Sequence, residues 1–301
     1  MHATQALLLS IRVYRRTRVH PCDAHRLRQG ETGPDGRRRR EPGPSSGYAG
    51  SPAGAPMPHV SSLPSPPATL HFMGVCGTAM GAVAVMMQDQ GYRVTGSDSG
   101  VYPPMSDVLA EAGIEVMQGF EAANLDHEPD LVVVGNVIRA TYGEAVALRE
   151  RDLPYLSLPE LLGEAFLRAR HSVVVAGTHG KTTTTSLVAW LLTHAGRDPG
   201  VMVGGVAKNL DRAARAGSGP EFVIEGDEYD TAYFDKVPKF VHYHPDTAIL
   251  TSIELDHVDI YDGMEPIRDA FRQLIARLPQ DGLLVARGDD PEVRALLADA
   301  P

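Results

Sequence analysis

The chain has 301 residues, 43% hydrophobic and 22% charged, the profile of about two ordinary domains built on apolar cores. With two cysteines, Cys22 and Cys76, it has no disulfide framework and suits the reducing cytoplasm, and no apolar run nears the ~18 residues of a membrane span. A net charge of −10 excludes a general nucleic-acid binder, which needs basic surface to neutralise phosphates.

Residues 1–68 hold ten Arg, no Lys and four acids, a net +6, against −16 for the remainder. The run Arg37–Arg40 and the Pro- and Ser-rich stretch 61–67 show no period of 2 or 3.6, so this extension is expected to be disordered, with Met57 read as the natural start. From Thr69 short apolar runs alternate with amphipathic stretches. Leu70–Met73, Tyr92–Gly96 and Leu131–Gly135 read as strands, and Ala79–Gln90, Met105–Ala112, Gly143–Arg151 and Pro159–Arg168 as helices. That alternation predicts βαβ units on a mostly parallel sheet. A second series runs through Ser172–Ala176, Lys181–Ala195, Phe222–Glu225, Ala248–Thr251, Pro266–Arg277 and Leu283–Ala286. The expected organisation is therefore α/β throughout, with a Rossmann-like domain over 69–169 and a P-loop domain over 170–301.

Three places carry chemistry. His71–Gly81 reads as strand, glycine turn and helix start, followed by a strand ending at Asp98. An acid at that distance suits a dinucleotide site, but the fingerprint G-x-G-x-x-G requires glycine where Cys76 stands. The cysteine reads as a small packing residue. The second place, Val173–Thr183, is a buried-strand run entering Gly177-Thr178-His179-Gly180-Lys181-Thr182-Thr183. Gly177 and Gly180 let backbone approach an anion, helix-start amides point at it, Lys181 adds a point charge, and Thr182 is placed for Mg²⁺. The loop is shorter than G-x-x-x-x-G-K-[ST], because Val175 stands five before Gly180. The third comprises two acid groups at strand ends: Glu225, Asp227, Glu228 and Asp230, then Asp256, His257 and Asp259. Carboxylates beside a phosphate loop suit Mg²⁺, which takes hard oxygen ligands.

The loop Gly177–Thr182 resembles the ATP loop of the Mur ligase family, and Gly74, Gly77 and Gly81 are similar to that family's diphosphate-binding turn. The resemblance covers 69–301. It implies a UDP-sugar site at Gly74, Gly77, Gly81 and Asp98, and an ATP site at Gly177, Thr178, His179, Gly180, Lys181, Thr182 and Thr183. It further implies Mg²⁺ held by Thr182 and Glu225, with Glu228 a further candidate, and a second ion at His257. Lys181, Glu225 and His257 would act in catalysis, His179 shaping the loop. Ser252 stands where the family uses Asn, and Arg272 where several relatives have a carbamylated lysine. The last feature is similar to both the L-alanine-adding and the peptide-recycling branches, while Val101–Ser106, Glu228–Lys236 and Lys239–Tyr243 resemble the branch that joins UDP-N-acetylmuramate to L-alanyl-γ-D-glutamyl-meso-diaminopimelate during peptidoglycan recycling. An acyl phosphate made with ATP would be the intermediate and the peptide amine the acceptor. The alternatives are the L-alanine-adding branch or a non-catalytic nucleotide-binding fragment. A cytoplasmic monomer is expected, bound to neither nucleic acid nor membrane. The family's third domain, which binds the acceptor, would lie beyond Pro301, so the chain alone is not expected to form the amide.

Overall fold

A computed structural model describes residues 63–205, 213–255 and 263–298, and the backbone of 11–15. The first strand, β1 (Ile11–Arg15), falls within the extension expected to be disordered, and it pairs antiparallel from Ile11 opposite Arg287 to Arg15 opposite Leu283. The sequence Ile-Arg-Val-Tyr-Arg is rich in β-formers, and an open sheet edge accepts such a segment.

Five parallel strands follow: β2 (Thr69–Met73), β3 (Arg93–Asp98), β4 (Glu115–Gln118), β5 (Leu131–Val134) and β6 (Tyr155–Ser157). Their order is β4-β3-β2-β5-β6. The four residues of β5, Leu-Val-Val-Val, are all fully buried, as a parallel strand covered on both faces requires. Helices α1 (Thr78–Asp89), α2 (Met105–Glu111) and α3 (Gly143–Glu150) make the crossovers. After β6, Ser157 caps α4 (Leu158–Leu162) through a capping box with Glu160, and the chain continues as a π-helical turn over Gly163–Leu167.

The second sheet contains β7 (His171–Ala176), β8 (Gly200–Met202), β9 (Ala214–Arg215), β10 (Glu221–Gly226), β11 (Thr247–Leu250) and β12 (Leu283–Arg287). With β1 they lie in the order β1-β12-β11-β7-β10-β8-β9, antiparallel only at the two ends. The helices are α5 (Lys181–His194), α6 (Met264–Ala276) and α7 (Pro291–Ala298). Register decides where chemistry can gather. Ala176 lies opposite Gly226 on one side and Leu250 on the other, so the segments leaving β7, β10 and β11 emerge side by side. From β7 the chain passes first to β8, β9 and β10 on one side and later to β11 on the other, and open α/β sheets place ligands in the crevice at such a reversal.

The described helices include none long and apolar enough to cross a membrane. Apolar burial is continuous between the sheets: Leu161, Leu162, Phe166 and Leu167 belong to one cluster with Phe72 of the first sheet and Phe222 of the second.

Candidate functional site

The turn after β7 depends on glycine. Gly177 has φ +134°, and a Cβ there would lie 2.2 Å from Thr251 Oγ1, a clash no L side chain avoids. The loop crosses the end of β11 and is tied to it by hydrogen bonds. The Thr178 amide donates to the Ser252 carbonyl (2.9 Å) and the His179 amide to Ser252 Oγ (3.2 Å). The Thr251 hydroxyl donates to the His179 carbonyl (2.6 Å), and the Glu254 amide to Thr178 Oγ1 (2.9 Å). Gly180, at φ +82°, then starts α5 with no side-chain cap and no acid in the first turn. The first helix amides therefore face outward without an internal acceptor, the arrangement that binds anions. Thr182 and Thr183 are exposed there.

The four acids at and just after the end of β10 have four different surroundings. Glu228 is 4% exposed and accepts from Lys181 Nζ at 3.0 Å, while the same ammonium donates to the Gly177 carbonyl at 2.8 Å. Glu225 faces the start of α5, accepting from the Gly204 amide (3.0 Å) and from the Thr182 hydroxyl. Burial pushes its carboxyl above the ordinary range, and these two hydrogen bonds only partly offset that. Asp227 is neutralised by Lys239 (3.0 Å) and accepts from the Tyr229 hydroxyl (2.8 Å), with the ammonium 4.2 Å from the centre of the Tyr229 ring. Asp230 pairs with Lys236 at an exposed position. His257, with Asp256 and Asp259, lies outside the described residues. Arg272 is engaged by Glu265 (2.7 Å) and Asp269 (2.6 Å) on the α6 surface.

A cavity of about 450 Å³ opens beside the loop, lined by His179, Gly180 and Thr184 on one side and by Ile249, Val285 and Arg287 of β11 and β12 on the other. The exposed His179 ring lies 3.6 Å from the Glu254 carboxylate.

The N-terminal turn follows the same logic around Asp98. One oxygen of its carboxylate accepts from the Cys76 amide (2.9 Å), the other from the Gly100 amide (2.8 Å). Gly74 turns at φ +87°, and a Cβ on Gly81 would sit 2.4 Å from Met105 Sδ and 2.9 Å from the Val75 carbonyl. Gly77 precedes α1 without a side-chain cap or an acid in the first turn. Burial and the Asp98 charge push the Cys76 thiol up, which suits a packing residue and not a nucleophile.

Four participants had no role assigned from sequence: Thr251 and Ser252 as anchors of the loop, Gly204 as a donor to Glu225, and Lys239 as the counterion of Asp227. The signal for the first pair is a Thr-Ser dipeptide directly after an apolar strand, and for Gly204 a Gly-Gly after another.

Two family profiles cover the described body: "Mur ligase family, catalytic domain" matches residues 69–170 and "Mur ligase middle domain" 175–301. A crystal structure of a UDP-N-acetylmuramate:L-alanyl-gamma-D-glutamyl-meso-diaminopimelate ligase from Neisseria meningitides superposes with a TM-score of 0.74 at 42% identity, over 77% of this chain and 74% of that one. The chain belongs to the Mur ligase family. Its fold comprises the N-terminal and central domains of that family. The ligase acting on the same tripeptide in Haemophilus influenzae is 44% identical over 76% of this chain, and a UDP-N-acetylmuramate–L-alanine ligase of Myxococcus xanthus is 39% identical over the same share. The chain spans about half the length of these curated relatives, 51% and 47%.

Proposed function

We propose that this Mur ligase chain binds UDP-N-acetylmuramate through its first sheet and Mg-ATP through its second, as the donor half of a ligase. The acceptor would be L-alanyl-γ-D-glutamyl-meso-diaminopimelate. The observation that carries the reading is the convergence of Lys181, Thr182, Glu225 and Glu228 on one glycine loop. The donor set fits Mg²⁺: a hydroxyl and a half-buried carboxylate, both hard oxygens, with no ion pair to Glu225 among the described residues. Bound there, the ion would neutralise phosphate charge. The rest falls to the chain. Lys181 exchanges Glu228 and the Gly177 carbonyl for phosphate oxygens, and the α5 amides orient them. The turn at Gly74, Gly77 and Gly81 receives the UDP diphosphate at the N-terminus of α1, while Asp98 holds the turn in shape. The muramyl carboxylate takes the γ-phosphoryl group of ATP and ADP leaves; the resulting acyl phosphate is the electrophile an amine can attack with loss of inorganic phosphate, which the carboxylate itself is not. His257 is assigned to a second ion on resemblance alone.

The tripeptide reading is preferred over the L-alanine reading because the higher-identity relatives carry the tripeptide name and segment 228–243 matches that branch. Parallel assays of the two acceptors decide between them.

The site assignment is tested by Lys181→Ala. Mg-ATP binding is expected to fall at least a hundredfold while UDP-N-acetylmuramate binding, measured by calorimetry, stays within twofold. Equal loss of both ligands overturns the two-site reading. Because the substitution removes the cation beside buried Glu228, the double variant with Glu228→Gln should recover part of the stability without recovering Mg-ATP.

A further inference from the structure

The segment between β10 and β11 acts as a strap that returns to the first sheet. Phe234 packs edge-on against Tyr155 of β6 with ring centres 4.8 Å apart, and the Tyr233 hydroxyl accepts from Arg149 of α3 at 3.3 Å. The next residue, Asp235, is fixed by a tight turn in which the backbones of Ala232 and Asp235 exchange hydrogen bonds of 3.1 and 3.2 Å. Further along, Lys239–His242 forms a 3₁₀ turn. The carbonyl of His242 presses on Gly163, where a Cβ would lie only 2.3 Å away.

Three side chains from three elements meet at this contact. Glu160 of α4, Asp235 and His242 each offer a ligand atom, and these atoms lie within 4.8 Å of one another. His242 Nε2 is 2.7 Å from Asp235 Oδ2, and both side chains keep about a fifth of their surface open, at 20% and 18%. Glu160 is oriented by Ser157, whose amide (2.7 Å) and hydroxyl (2.8 Å) both donate to its Oε2.

We propose that Glu160, Asp235 and His242 form a binding site for a divalent first-row transition ion of the zinc or manganese class, clipping the strap to α4. One imidazole and two carboxylates balance a +2 ion, and an imidazole nitrogen favours such ions over Mg²⁺. The ion replaces the proton that the His242–Asp235 pair shares, and ligand atoms now up to 4.8 Å apart close around it. Ser157 supplies the orienting hydrogen bonds to a ligating carboxylate that metal sites require. Water reaches the open side to complete the coordination. Ligands come from an element after the first sheet and from the strap of the second, so the ion would fix the two relative to each other. The proposal does not rest on the ligase reading, since none of the three residues belongs to the nucleotide site.

The test uses the 301-residue chain carrying Glu225→Gln, which disables ion binding at the phosphate loop, stripped with EDTA and titrated with Zn²⁺ and Co²⁺. One equivalent of Zn²⁺ is expected to bind and raise the melting temperature, and Co²⁺ to give a visible absorption band. Adding His242→Gln, which keeps a donor to Asp235, should weaken Zn²⁺ at least about tenfold and remove the Co²⁺ band. Asp235→Asn should do the same, so the test stands if either variant folds poorly. Zn²⁺ affinity and Co²⁺ band equal in parent and variants, or no Zn²⁺ bound by the parent, overturns the site.

Discussion

Ser252 illustrates how much of the proposed nucleotide site rests on single polar atoms. It is 3% exposed and holds the loop twice, by its carbonyl to Thr178 and its hydroxyl to His179. Ser252→Ala removes only the second bond. The expected cost is about 1 kcal/mol of stability, with a several-fold loss of Mg-ATP affinity and no change for UDP-N-acetylmuramate. Chemical denaturation and calorimetry on the same samples check both. Glu225 gives a prediction in pH. Its folded carboxyl holds a proton more tightly than the unfolded one because of burial, so the folded chain binds more protons and stability falls as pH rises from the ordinary carboxylate range through the raised value. Glu225→Gln cannot ionise. Its melting temperature should exceed the parent's at pH 8 and converge with it near pH 4, while Mg-ATP binding weakens. A gap independent of pH would mean that ionised Glu225 is not under strain. Which acid does what was not legible in the sequence, which shows four acids within six positions. Their roles follow from partners far along the chain, Lys181 for Glu228 and Gly204 for Glu225, and no local pattern reports those.

At the scale of elements, the long periodic segments were readable and the short ones were not. Strands β5 and β7 are uninterrupted apolar runs and announce themselves. By contrast β4 (Glu-Val-Met-Gln), β6 (Tyr-Leu-Ser) and β9 (Ala-Arg) are too short to show a period, and their pairing comes from the sheet they join. For β1 the composition of its surroundings pointed to disorder, and a strand-length patch inside an Arg- and Pro-rich stretch carries too little weight to overrule it. The π-helical turn after α4 has the sequence of ordinary helix. Its reason lies in packing, since Gly163 admits the His242 carbonyl. Gly163→Ala should therefore destabilise by about 1–3 kcal/mol, as overpacking against backbone does, although Ala is the better helix former. A neutral or stabilising result in urea denaturation would show that the strap yields easily there.

At the scale of the molecule, two sheets with separate proposed ligand sites share a core, and that makes the independence of those sites measurable. Phe166, 3% exposed, lies on the π-helical turn between the sheets, with its ring centre 5.8 Å from that of Phe222 on β10. It belongs to the segment through which apolar contact passes continuously from β2 to β10. Cooperative unfolding of two layers requires such a shared core, and multidomain chains lose single-transition behaviour when it weakens. The parent should melt in one calorimetric transition. Phe166→Ala leaves a cavity worth about 3–5 kcal/mol and is expected to split the transition in two. Ligands then identify the parts, because each stabilises only what it binds. UDP-N-acetylmuramate should raise one of the two transitions and Mg-ATP the other. If each ligand still raises both, the strap contacts of Tyr233, Phe234 and Asp235, and not Phe166, hold the sheets together, and Phe234→Ala in the same background becomes the variant that separates them.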